Sequence, residues 1–172
     1  MMKKKYLFTC LLIWIHLSAS AQDIISSFLD KHRKDDNLEI VTIGKKMMEA
    51  ICTLTSDNPD LTEAIKGLEM IRIVSSKDED LNKEYYLSAQ ALLSKSKGFE
   101  EFFSMDEKEK ELMVMIKESK GCIKELILLS EQPDGFNLIS ISGTINLDDL
   151  LKYSKGLNIK ELDQFQSVKR NQ

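Results

Sequence analysis

Proton transfer and nucleophilic attack start from a small set of side chains, and here the set is thin. The chain carries two histidines, His16 and His32, and His16 lies inside an N-terminal apolar leader. A single remaining histidine removes most histidine-based triads and histidine-rich metal sites. His32 falls one turn after Phe28-Leu29, at the edge of an apolar stripe, where it reads as a partly buried structural residue near a helix end. Asp78-Glu79-Asp80-Leu81-Asn82 opens like a calcium loop, but Lys83 stands where glycine must make the sharp turn. Ala89 stands where a bidentate glutamate must close the ligand shell. Asp106 to Glu111 is a mixed-charge run. A glycosidase pair must flank its substrate, and nothing in the sequence sets these carboxylates across a cleft, so the run reads as a solvated turn. Gly44, Gly67 and Gly98 are isolated, and there is no glycine-rich phosphate loop and no G-x-S-x-G elbow. The sequence assigns no catalytic, metal-binding or cofactor-binding residue.

The elements around these residues begin with the leader. Lys3-Lys4-Lys5, the apolar run Leu7 to Leu17 and Ala19-Ser20-Ala21 form the charged, apolar and small-residue parts of a signal peptide over residues 1–21, with Gln22 as the mature N-terminus. The apolar run is shorter than the ~20 residues that span a bilayer. Cys10 lies inside the run rather than after it, against a lipid-modified cysteine. Removal of the leader lowers Lys+Arg from 24 to 21 against 28 Asp+Glu, a mature charge of about −7. An acidic domain lacks the basic face that nucleic acid requires. The expected organisation is one domain over residues 22–166 and a polar tail over 167–172.

Apolar residues at helical spacing predict helices over 24–33, 45–54, 61–66 and 81–95, a further one capped by Asn146, and a weak one over 159–165. β-rich runs predict strands over 38–43, 68–75, 99–105, 111–118, 122–130 and 136–145. Lys120-Gly121 and Pro133-Asp134-Gly135 join the last three strands as a meander. The expected class is α+β, a mostly antiparallel sheet with helices packed mainly on one face. Gly143 interrupts a strand and predicts a bulge or a close approach by another element. Cys52 and Cys122 have apolar neighbours and are expected to be separate buried thiols, with a Cys52–Cys122 bridge, which export would permit, as the alternative.

Met113, Met115, Leu126 and Leu128 belong to two neighbouring strands, opposite the residues expected to face the helices. With helices on one sheet face only, these four form an apolar patch on the other, a candidate face for a protein partner. Cover by a helix or by the C-terminal tail is the alternative.

The chain resembles the DUF4252 family, exported proteins of Bacteroidota that carry a domain of unknown function. The resemblance rests on Ile43-Gly44-Lys45-Lys46-Met47, Leu68 to Ile73, Phe99-Glu100-Glu101-Phe102, Ile123 to Leu129 and Ile139 to Leu147. It covers nearly the whole mature chain, implies the fold and brings no catalytic residues with it. The reading is therefore an exported cell-envelope protein, periplasmic or secreted, that binds an envelope protein without covalent chemistry. Its alternative is a small-ligand binder or an enzyme whose site is assembled from distant residues.

Overall fold

The computed structural model describes residues 23–108 and 110–152. The leader, the helix expected over 159–165 and the polar tail lie outside the described residues. The elements are α1 (Ile24–Lys31), β1 (Glu39–Gly44), α2 (Lys45–Leu54), α3 (Pro59–Lys66), β2 (Leu68–Ser76), α4 (Asn82–Leu93), β3 (Glu100–Glu107), β4 (Lys110–Ser119), β5 (Cys122–Gln132), β6 (Gly135–Ile145) and α5 (Leu147–Lys152). Each follows its sequence pattern to within a few residues. Local chemistry sets the helix starts. Asp23 caps α1 by accepting from Ser26 N at 3.2 Å. Asn58 caps α3 ahead of Pro59, which needs no N–H donor in a first turn. Asn146 accepts from the backbone of Asp148 and Asp149 at the start of α5.

The six strands form one antiparallel sheet in the order β1-β2-β6-β5-β4-β3. The first two strands pair beside each other, with α2 and α3 between them in sequence. The chain then crosses over α4 to the far edge, and the meander β3-β4-β5-β6 returns to lay β6 against β2. β1 and β3 are the two edges. Lys120 and Gly121, at φ 55° and 74°, make the two-residue turn between β4 and β5. Successive positive φ angles match the twist of paired strands.

The class is the expected α+β with an antiparallel sheet, and three of the five described helices share one face. Met48 of α2, Ile65 of α3 and Leu150 and Leu151 of α5 pack there on Ile71, Leu112, Val114, Leu126, Leu128, Ile139 and Ile141. The opposite face is covered as well. Ile24, Ile25 and Phe28 of α1 and Tyr85, Ala89 and Leu93 of α4 pack on Val74, Met115, Ile127, Leu129, Phe136 and Leu138. β5 shows why a double cover is needed. Leu126-Ile127-Leu128-Leu129 is an unbroken apolar run, and alternate side chains point to opposite faces, so one layer of helices leaves half of it wet. All four are fully buried, and each gains roughly 1.5–3 kcal/mol over exposure.

Gly143 is the tightest joint of the sheet. Its φ is +139°, and a Cβ there would lie 2.3 Å from the Gly67 carbonyl oxygen and 2.8 Å from the Leu68 Cα. The registers of β2 on β6 and of β5 on β6 both shift beside it. The expectation of a bulge with close approach holds, and the approaching element is the entry to β2, where Thr144 N donates to Gly67 O at 2.8 Å.

Candidate functional site

The one histidine of the described residues stands where the end of α1 meets the middle of α4. His32 Nε2 lies 2.9 Å from Ser88 Oγ, and Lys31 Nζ donates to the same oxygen at 2.8 Å. An ammonium can only donate, so Ser88 accepts from Lys31 and has its own hydroxyl hydrogen to give to His32. That arrangement needs a neutral imidazole. Burial lowers the His32 pKa below its ordinary 6.5, and the adjacent Lys31 charge lowers it further. The ring packs 4.6 Å from Phe28 and 5.2 Å from Tyr85, centroid to centroid. The Tyr85 hydroxyl donates to Asp35 in the turn after α1. This bond is the first cause of the lowered Asp35 pKa, while burial leads the rise at Tyr85.

A serine that donates to a neutral histidine has the polarity of an activated nucleophile. Access and electrostatics oppose that use. Ser88 is 6% exposed and sits mid-helix in α4, where backbone N–H groups are committed to carbonyls one turn back rather than free to hold an oxyanion. What the cluster does is join α1 to α4 through mutually satisfied polar groups. Arg72 secures the other end of α1 by pairing with the cap residue Asp23.

A second polar group lies under the start of α4. Glu111 of β4 and Glu131 of β5 are directly opposed in register, and Asp106 of β3 opposes Glu111 on its other side. Like charges in cross-strand positions repel. Lys83 pairs with Glu111 and lies 3.9 Å from Glu131, above the Tyr86 ring at 5.3 Å. Tyr86 is buried, and burial followed by the Glu111 charge raises its pKa. The run 106–111 is therefore strand rather than solvated turn at Asp106 and Glu111. The element that completes the cluster, Glu131, is 20 positions from Glu111 in the chain and invisible to local pattern. Among the described residues no group of three or more His, Cys, Asp or Glu side chains is placed to hold a metal ion.

The four residues of the expected partner face do not form one surface. Met113 and Met115 lie against α1 and α4, Met115 at 8% exposure and Met113 half-buried. Leu126 and Leu128 are fully buried on the opposite face, in the core with α2, α3 and α5. Neighbouring strands share a face only through their register, and Met115 opposes Ile127 rather than Leu126. The cysteines are both free, but Cys122 is exposed at the start of β5, a correction to the buried thiol expected there. Its side lies at the sheet end, where a single turn leaves it uncovered. Cys52 is half-buried against the α2 side of the core.

Exposed apolar side chains collect instead at the β1 edge. Ile40 is 53% exposed, Val41 50%, Met47 of α2 57% and Met70 of the neighbouring β2 39%. Ile40 and Met70 point to the α1–α4 face and Val41 to the α2 face, because their partners in the register belong to those two sides. The signal for this in the sequence is the β-branched run Ile40-Val41-Thr42-Ile43, unbroken by charge or proline, but its place at an edge is a property of the sheet order.

A family model described as a domain of unknown function, DUF4252, matches residues 31–153. No curated protein and no solved structure matches the chain. No helix of the described residues is long and apolar enough to cross a membrane.

Proposed function

The chain belongs to the DUF4252 family, and on that premise we propose that its domain is a protein-binding module, exported to the cell envelope, that works through the β1 edge. One observation carries the reading: four large apolar side chains, Ile40, Val41, Met47 and Met70, stay exposed together at the β1 rim, while the other exposed ones, Leu54, Leu87 and Phe102, lie one each on α2, α4 and β3. An edge strand also offers a row of backbone N–H and C=O groups to an incoming strand. Main-chain pairing supplies affinity in such strand addition, and alternate side chains supply selectivity. The clusters around His32 and Lys83 spend their polar groups on each other, which suits them to holding α1 and α4 on the sheet. Export is supported by the Lys3 to Ala21 pattern, and the capped start of α1 at Asp23 falls just after the expected cleavage at Ala21.

A photo-crosslinking amino acid placed in vivo at Val41 or Met47, and at Glu107 as control, tests the reading. Discrete adducts at the first two positions and none at Glu107 support it. Adducts at all three alike, or none at Val41 and Met47, overturn it.

A further inference from the structure

We propose that the occupant of the β1 edge is a second copy of this chain, bound by antiparallel β1–β1 pairing about Thr42 so that two sheets join across a two-fold axis. The inference rests on β1 being a binding edge and adds what binds there.

A two-fold perpendicular to the sheet keeps each side chain on its own face, so it must pass through a residue and not between two. Through Thr42, the strand Glu39-Ile40-Val41-Thr42-Ile43-Gly44 complements itself. Val41 opposes Ile43 of the second copy on the α2 face, twice by symmetry, and apolar β-branched pairs stabilise sheets. Thr42 opposes Thr42 on the other face. Glu39 comes abreast of Lys45, the first residue of α2, and both are exposed. Ile40 opposes Gly44, which has nothing within 4 Å of where a Cβ would be. Gly44 in turn pairs with Met70. Ile40 can therefore lie across the glycine to reach the exposed Met70 of the second copy, two strand spacings away at about 4.8 Å each. The neighbouring axis through Val41 is worse, because it sets Glu39 against Ile43 and leaves Lys45 without the acid. The strand itself is open to pairing: its register with β2 runs from Glu39 to Gly44 without a shift, and no proline or lysine interrupts it.

The test uses protein expressed from the full sequence and purified after export. Sedimentation velocity over increasing concentration should show a monomer passing to a dimer. Glu39→Lys and Lys45→Glu should each weaken the dimer at least tenfold, and the double charge exchange should restore it. With Cys122→Ser in the background to remove the exposed native thiol, Thr42→Cys should form a disulfide-linked dimer on mild oxidation, whereas Ile40→Cys, four positions from its own copy in this register, should not. Circular dichroism confirms the fold of each variant. A monomer at every concentration together with no Thr42→Cys crosslink overturns the self-pairing. If the Val41 photo-adducts are then another protein, the edge still binds but its occupant is a foreign strand. If the protein dimerises but the charge exchange does not restore it, the register is wrong and the proposal falls.

Discussion

The sheet has two edges, and the chain treats them differently. β3 places Glu100, Glu101, Asp106 and Glu107 along its length, and its register with β4 breaks between Glu101 and Phe103. Repeated charge and a bulge are two ways of making an edge unfit for pairing. β1 has neither between Glu39 and Gly44 and leaves Ile40 and Val41 half in water, whereas the exposed Phe102 of β3 stands at the bulge beside Glu100 and Glu101. Both edges belong to one antiparallel sheet with the same hydrogen-bonding capacity, so backbone alone does not separate them. Side-chain charge and strand regularity do. The regular, apolar edge opposite a guarded one is the edge that the proposed binding takes.

The largest test of this contrast attacks the joint that carries β1. Gly143→Val sets a Cβ against the Gly67 carbonyl and forces a β-branched residue to positive φ. It should cost about 3 kcal/mol or more, despite the β-propensity of valine, as read from denaturant midpoints. Gly44→Ala, whose Cβ would meet open space, should stay within about 0.5 kcal/mol of the native protein. Equal effects at the two glycines would remove the claim that the β2–β6 seam is the tight one.

Removing Lys83 probes the guarded side. Lys83→Met leaves Glu111 and Glu131 opposed without their cation, a loss of about 1 kcal/mol that raised salt should reduce. A variant as stable as the native protein at low salt would show that the carboxylates avoid each other unaided.

The edges themselves can be exchanged in character. Val41→Lys on β1 should abolish adduct formation from the crosslinker at Met47 while changing stability by less than about 0.5 kcal/mol, because the Val41 side chain is exposed. Glu100→Val with Glu107→Val on β3 should leave stability similarly unchanged but raise self-association, measured by light scattering. If β3 stays inert after neutralisation, the bulge rather than the charge protects it.

The smallest effect concerns pH. The His32 pKa is lowered in the folded protein, so between that value and the ordinary 6.5 the unfolded chain binds the extra proton. Stability is therefore complete above 6.5 and falls as pH drops through the folded value. His32→Gln should flatten the slope of the unfolding free energy in this window and leave adduct formation at Val41 intact. A native slope of opposite sign would mean that His32 is charged in the fold and that the Ser88 bond runs the other way.

Much of the architecture is local and was legible in sequence. Asn146 begins a helix because its side chain caps backbone N–H groups a few residues on, whereas Asn58-Pro59, whose residue types read as a loop, open α3 because Asn58 caps Leu61 N. Lys120-Gly121 turns because both positions take positive φ, and the strands follow their β-branched runs. Gly143 could be marked as a special position because a strand glycine has no side chain to pack. Which element approaches it could not be read, since Gly67 is 76 positions earlier. The run Leu126 to Leu129 puts apolar side chains on both faces, but that the second face is covered, and by which helices, is decided only by the packing. The same limit explains the candidate site. Partners such as Glu111 with Glu131, or His32 with Ser88, meet through strand register and helix docking, which depend on contacts remote in sequence. Composition and periodicity determined the elements and their order. The sheet order determined that Ile40 and Val41 stand at a rim and that Met115 and Leu126 do not share a face, because an edge exists only once every other strand has found its neighbour.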